Sequence, residues 1–156
     1  MVFMLKDDQY EKARQTAYKY LSSRARTGRQ VTEMLFKKGF GSETVTLVMG
    51  NLLEYGLLND EAFAEQYVQK KSLRPRSVMA HDLKQLGVDE YVVDRVLAGI
   101  DSGAEMRVAM SLAMGMKKRR GNDYPLVKIA AFLSRRGFSQ DIVERVCSCL
   151  ENMHQP

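Results

Sequence analysis

Tryptophan is absent from the chain, histidine and cysteine occur twice each, and proline occurs three times. Two cysteines cannot build the disulfide framework that holds small secreted domains. His81 and His154 leave little material for imidazole acid–base chemistry. Cys147, Cys149 and His154 offer three metal donors in the order C-x-C-x4-H, a spacing unlike the common zinc patterns. Cys147 falls instead on the apolar register of a helix, so no metal and no cofactor are expected. No G-x-x-x-x-G-K-[ST], H-E-x-x-H or G-x-S-x-G occurs. The carboxylates are scattered in surface-type patterns, and neither catalytic residues nor an enzyme is expected. The longest run without charge, Thr44 to Leu53, has about half the length a membrane-spanning helix needs. The opening Met1-Val2-Phe3-Met4-Leu5, before Lys6-Asp7-Asp8, is too short an apolar run for a signal peptide. These absences lead to the expectation of a soluble, cytoplasmic protein with no membrane partner.

What is present points to ordered structure. Of 156 residues, 45% are hydrophobic and 28% charged, close to the globular average, which argues against general disorder. Lysine and arginine total 24 against 19 acidic residues, a net charge of +5 that suggests an acidic partner. The length suits one ordinary domain or a few small repeated modules.

The chain repeats itself. Gly39, Gly87 and Gly137 lie 48 and 50 residues apart, and three segments align on them. Leu35, Leu83 and Leu133 stand four residues before, and Phe40, Val88 and Phe138 immediately after. Val45, Val48, Met49 and Leu52 then follow at i, i+3, i+4 and i+7, one apolar stripe of a helix. Val93, Val96, Leu97 and Ile100 repeat that stripe, as do Val143, Val146, Cys147 and Leu150. Upstream, Val31 and Leu35, Met79 and Leu83, and Ile129 and Leu133 are four apart on an earlier helix. Each glycine ends that helix, because glycine enters the left-handed conformation at little cost. Gly41, Asp89 and Ser139 stand at the next N-cap, with Ser42 the better candidate in the first copy. Thr27 and Gln30 form a capping box, Asn59 or Asp60 can cap a helix, and Pro75 and Pro125 suit first helical positions.

A further helix precedes each pair, near residues 8–23, 60–71 and 103–119. These carry Ala17, Tyr20 and Leu21; Phe63, Ala64, Tyr67 and Val68; and Met106, Met110, Ala113 and Met114. The methionine row Met106, Met110 and Met114 reads as core, and most tyrosines sit at core spacing. The expected fold is all-α. Nine helices form three tandem three-helix repeats in an elongated, curved, solenoid-like body. The divisions fall at residues 1–56 (an N-terminal extension with the first repeat), 57–101 and 102–156.

Charge follows the repeat. Residues 11–40 hold eight basic and two acidic groups, whereas 41–68 hold none and five. The alternation recurs at 69–86 and 87–105, then at 117–136 and 137–156. A basic stripe for an extended polyanion or an acidic protein groove follows from this banding. Its candidate residues are Arg24, Arg26, Arg29, Lys37 and Lys38; Lys70, Lys71, Arg74 and Arg76; and Lys117, Lys118, Arg119, Arg120, Arg135 and Arg136. Helix–glycine–helix units also resemble helix-turn-helix elements, but nothing obvious reads base edges.

Four segments resemble the RecX family of bacterial RecA regulators. Tyr20-Leu21-Ser22-Ser23-Arg24-Ala25-Arg26-Thr27 is similar to its R-x-R-S opening. Leu53-Glu54-Tyr55-Gly56-Leu57-Leu58-Asn59-Asp60-Glu61-Ala62-Phe63-Ala64 resembles its E-x-G-Y-L-D-D-x-R-F-A segment, the most specific match. Arg74-Pro75-Arg76 through Gly87-Val88, and Lys128-Ile129 through Phe138-Ser139, are similar to two further family blocks. Gln30 and Val31, Asn59 and Arg74 depart from the family pattern. The resemblance implies a non-enzymatic protein bound in the helical groove of the RecA filament on DNA, and a monomer is expected. It implies inhibition of RecA's ATPase, strand exchange and co-protease activities, with filament disassembly or blocked extension, modulating recombination, DNA repair and the SOS response. The alternative is a general basic DNA-binding accessory protein, which competes for single-stranded DNA and touches single- or double-stranded DNA directly.

Overall fold

The computed structural model describes residues 2–101 and 103–153, without the side chains of residues 2–6. Among the described residues are nine α-helices and no strand. They are α1 (Val2–Ser23), α2 (Gly28–Lys37), α3 (Ser42–Glu54), α4 (Asp60–Lys70), α5 (Arg76–Gln85), α6 (Glu90–Ala98), α7 (Ala104–Arg120), α8 (Leu126–Arg136) and α9 (Gln140–Asn152). They read as three sets of three, as the sequence spacing predicts.

One turn is built three times. Gly39, Gly87 and Gly137 adopt φ of +94°, +93° and +100°, a region that side-chain-bearing residues enter at a cost. After each glycine, the next amide reaches back to the aligned leucine carbonyl: Phe40 to Leu35 at 3.2 Å, Val88 to Leu83 at 3.0 Å and Phe138 to Leu133 at 3.2 Å. The glycine amides bond the carbonyls of Phe36, Lys84 and Ser134, completing a Schellman motif in every copy. The Leu-x3-Gly-apolar spacing is therefore a chemical unit. The glycine reverses the chain, and the leucine and following apolar residue close over it.

The starts of the helices differ from expectation at three places. Gly41, not Ser42, is the N-cap of α3, with extended backbone and no side-chain bond. Pro75 and Pro125 stand one position outside α5 and α8 rather than at their first residue. Pro125 has ψ of 134°, and the two proline carbonyls accept from Met79 and Ile129 at 3.0 and 3.3 Å, as an N-cap carbonyl does. Asn59, rather than Asp60, caps α4 by accepting from the Ala62 amide at 3.0 Å. The Thr27–Gln30 capping box and the Ser139 cap of α9 form as expected.

The helices pack into two compact units, Met1–Tyr67 with Leu83–Asp94 and Val68–Asp82 with Arg95–Pro156. In the first, Ala13 and Ala17 of α1 meet Val31, Leu35, Val45, Val48, Leu52 and Leu58. In the second, Ala109, Ala113 and Met116 of α7 meet Ile129, Leu133, Phe138, Ile142, Val143, Val146 and Leu150. Alanines four apart on α1 and α7 let the partner helices approach closely. That choice corrects the expected methionine core. The buried stripe of α7 runs through the alanines, Met106 and Met110 only flank it, and Met114 is exposed. The tyrosines sit at the edge of the core: Tyr10, Tyr18, Tyr20 and Tyr124 are half-buried against it, Tyr67 is half-buried, and Tyr55 and Tyr91 are 68% and 70% exposed.

Each unit contains one junction where the N-terminus of a second helix meets the following set. In the first unit, the buried Thr27 hydroxyl accepts from the Gln30 amide at 3.2 Å and donates to the Leu86 carbonyl at 2.5 Å. The Gly28 amide donates to the Asp60 carboxylate at 2.9 Å. In the second unit, the Ser77 hydroxyl donates to the Gly137 carbonyl at 2.5 Å, and the Arg76 amide to Glu105 at 3.4 Å. The amides left over at a helix start thus become the mortar between sets.

Thr27→Val is expected to lower unfolding stability by about 2 kcal/mol, since it removes a cap and leaves the half-buried Leu86 without its hydroxyl donor. Thr46→Val, at an exposed hydroxyl bonded within α3, should stay within about 0.5 kcal/mol. Urea denaturation of both variants checks the contrast, with the slope on urea unchanged.

Candidate functional site

The basic residues divide into those the fold uses and those it leaves on the surface. In the first unit, α1 ends where the Ser22 and Ser23 hydroxyls donate back to the Lys19 and Tyr20 carbonyls at 2.7 and 2.9 Å. The chain then turns through Arg24 and Arg26 into the capping box. The Arg26 guanidinium lies 4.2 Å from the Tyr20 ring centroid, a cation–π contact that fixes it against the protein. Arg24 faces solvent. Arg29 reaches Glu33 at 3.2 Å. Lys37 and Lys38, at the end of α2, are exposed beside an open groove of about 720 Å³ that Tyr20, Gln30, Glu33 and Met34 also line.

In the second unit, Lys70 and Lys71 are exposed at the end of α4. Arg74 pairs with Asp82 at 2.6 Å. Arg76 is committed to the fold: its guanidinium donates to the Ile100 carbonyl at 2.9 Å and the Asp101 carbonyl at 3.3 Å, with Glu105 at 3.9 Å. Asp101 is held below the usual carboxylate range, first by the hydrogen bond from Arg107 and then by the Gly103 amide. Lys118, Arg119 and Arg120 are exposed at the end of α7. Lys117 is not, being only 7% exposed, a correction to the expected stripe. Helical period explains it, because Lys117 follows Ala113 by four on the buried face of α7. Arg135 is exposed, and Arg136 lies 4.9 Å from the Phe132 ring centroid.

Most of these cations occupy last turns of helices, where they complement the carbonyl end of the dipole. Arg24, Lys38 and Lys71 lie beyond the helix ends and owe less to that effect. The groups left on the surface are Arg24, Lys37 and Lys38, then Lys70 and Lys71, then the run Lys118–Arg120 and Arg135. Such groups attract phosphates and acidic side chains by charge, with little geometric demand.

A second surface feature was not legible as a site. Tyr18, Leu21, Ser22, Tyr55 and Leu57 line an open, mainly apolar groove of about 480 Å³. Leu53, Tyr55 and Leu57 are exposed at 62%, 68% and 48%. Gly56, at φ +69°, swings this loop so that the Leu57 amide returns to the Leu52 carbonyl and Leu58 turns inward. The signal available was the run Leu53 to Leu58, which carries more apolar residues than one helix face can bury.

Cys147 is half-buried, and burial pushes its thiol above the ordinary range; Cys149 is exposed. His154, the third donor considered, lies outside the described residues. Among the described residues no cluster of three or more metal-type ligands occurs, and no helix is long and apolar enough to cross a membrane.

The fold and its surfaces define an all-helical repeat protein that exposes basic groups at its helix ends and an apolar groove. Residues 13–52 match the family model described as RecX, first three-helix domain. The chain is 33% identical over 142 residues to Regulatory protein RecX of Mycolicibacterium vanbaalenii, spanning 83% of this chain and 77% of that protein. It is 34% identical over 142 residues to Regulatory protein RecX of Mycobacterium sp. strain JLS, spanning 85% of this chain and 78% of that one. The crystal structure of RecX from Lactobacillus salivarius superposes with a TM-score of 0.86 at 24% identity, covering 93% of this chain and 98% of that one. The chain belongs to the RecX family.

The division of the arginines has a measurable consequence. Arg76→Gln is expected to lower stability by about 2 kcal/mol, because two backbone carbonyls lose their charged donor. Arg119→Gln should leave it within about 0.5 kcal/mol. Thermal melts followed by circular dichroism separate the two.

Proposed function

We propose that this protein is a cytoplasmic regulator of RecA, binding the RecA nucleoprotein filament in its helical groove and inhibiting ATPase, strand exchange and co-protease activities. Inhibition proceeds by filament disassembly or blocked extension, and so modulates recombination, DNA repair and the SOS response. The observation that carries this reading is membership of a family of regulatory proteins over more than four-fifths of the chain. The exposed basic residues support it, since they are cations that the fold does not consume. Glu33, which shares a groove with Lys37 and Lys38, adds an acidic group to that surface. Arg24, Lys37, Lys38, Lys70, Lys71, Lys118, Arg119, Arg120 and Arg135 are the residues on which this reading rests most. Arg26, Arg29, Arg74, Arg76, Arg136 and Lys117 act chiefly in holding the surface in place.

The test is RecA's DNA-dependent ATPase during titration with the protein, at two salt concentrations. Inhibition is expected well below one molecule per RecA. Inhibition only at DNA-saturating amounts, lost with salt and matched by any basic competitor, would favour the general DNA-binding reading instead. Double charge reversal Arg24→Glu/Arg135→Glu should raise the inhibitory concentration about tenfold or more, from loss of two charge contacts, with the melting temperature little changed. Wild-type inhibition by that folded variant would remove these residues from the interface.

A further inference from the structure

The groove beside Lys37 and Lys38 carries more than charge. Its lining comes from α1 and α2, both within the first unit. Tyr20 and Met34, each half-buried, give it apolar surface, and Lys37 and Lys38 are exposed beside them. No ion pair among the described residues engages either lysine. Glu33 is the one acid of the lining, and Arg29 pairs with it at 3.2 Å, so the net charge of the groove is that of the lysines. Arg26 adds to that charge from the Tyr20 ring, on which its guanidinium is stacked. Its Nε is shut off from solvent and has no hydrogen-bond acceptor among the described residues.

A basic groove of about 720 Å³ with apolar surface inside it fits an acidic occupant that also buries an apolar side chain. Two kinds of polyanion could offer charge, and the side chains separate them. A nucleic-acid strand stacks its bases on aromatic faces and runs its phosphates past cations. Here Arg26 already covers a face of Tyr20, and the Glu33 carboxylate repels phosphates passing the lysines. The repeat supplies a contrast. Counted from their glycines, Gln30, Glu33, Lys37 and Lys38 of α2 correspond to Lys128, Ala131, Arg135 and Arg136 of α8. The α8 positions hold cations and no acid, whereas those of α2 include an acid and a neutral amide.

We propose that the groove between α1 and α2 docks an acidic segment of another protein. One apolar side chain of that segment lies against Tyr20 and Met34, and carboxylates beside it meet Lys37 and Lys38. The proposal names the chemistry of the partner at one surface and holds whichever protein carries the segment.

Fluorescence anisotropy of the full chain with a labelled peptide tests it. No RecA or DNA is present, so a failure here leaves the proposed function standing. The probe alternates aspartate and serine around one central phenylalanine. Binding at about 10–500 µM is expected, the range of one small contact. Replacing the phenylalanine by alanine should weaken binding about tenfold. Lys37→Glu/Lys38→Glu should weaken it about tenfold or more. Lys128→Glu/Arg135→Glu, on the matching face of α8, should leave it within about twofold, because salt screens distant surface charge. A phenylalanine peptide that does not bind would overturn the proposal. So would equal binding of the alanine peptide, or wild-type binding by the α2 variant. Labelled oligothymidylate whose binding falls with the α2 variant at least as far as the peptide's would make the groove a nucleic-acid surface instead. Should the double reversal lower the melting temperature, Lys37→Gln/Lys38→Gln replaces it, with a loss of about threefold expected.

Discussion

The packing within each unit depends on what happens at the N-terminus of its second helix, α2 in one unit and α5 in the other. A helix start leaves backbone amides without intrahelical partners, and helices of about ten residues are too short to be stable alone. Here those amides and the hydroxyl beside them are satisfied by the following set: Leu86 and Asp60 in one case, Gly137 and Glu105 in the other. The same bonds complete a marginal helix and fix the register in which the next turn sits. The apolar stripes then have only one arrangement in which to close, and the basic groups at the helix ends take their places as a result.

The turn and core were readable because they are local chemistry repeated. Leucine, glycine and an apolar residue at fixed spacing are the parts of a Schellman motif, so their coincidence at three places carried structural meaning. Periodicity placed Val45, Val48 and Leu52 inside, and they are. It failed on α7, where methionines and alanines compete for the same face and hydrophobicity favours the methionine. The competing term was distance. A helix that must nestle between two others buries its smallest apolar residues, which places Ala109 and Ala113 inside and leaves Met114 out. Ser42 and the prolines missed by one residue, for a backbone reason. An extended glycine or proline immediately before the helix supplies the N-cap carbonyl, whatever hydroxyl follows it.

Charge was legible as banding but not as availability. Counting cations along the chain treats Arg76 and Arg119 alike, yet one bonds two carbonyls and the other faces solvent. Nothing local distinguishes them, because the carbonyls of Ile100 and Asp101 are supplied from the loop between α6 and α7. Lys117 could have been separated by period, being four residues from a buried alanine. The apolar groove beside Tyr55 escaped for a different reason. Periodic patterns describe helices, and this surface is made by a loop that Gly56 turns outward.

The position at the same distance before each glycine shows how a repeated fold records its own order. In the first set it holds Thr27, whose hydroxyl caps its own helix and bonds the next turn at once. In the second it holds Pro75, which can do neither, and the task passes to Ser77 and to the Arg76 amide. In the third it holds Pro125, with Val127 in place of the serine, so no hydroxyl is offered. Proline loses nothing there: it has no amide to leave unsatisfied, and it sets the extended backbone a cap needs. Substitution along this series thus tracks the hydrogen bonds each junction must make, whereas the glycine never varies because every turn must reverse.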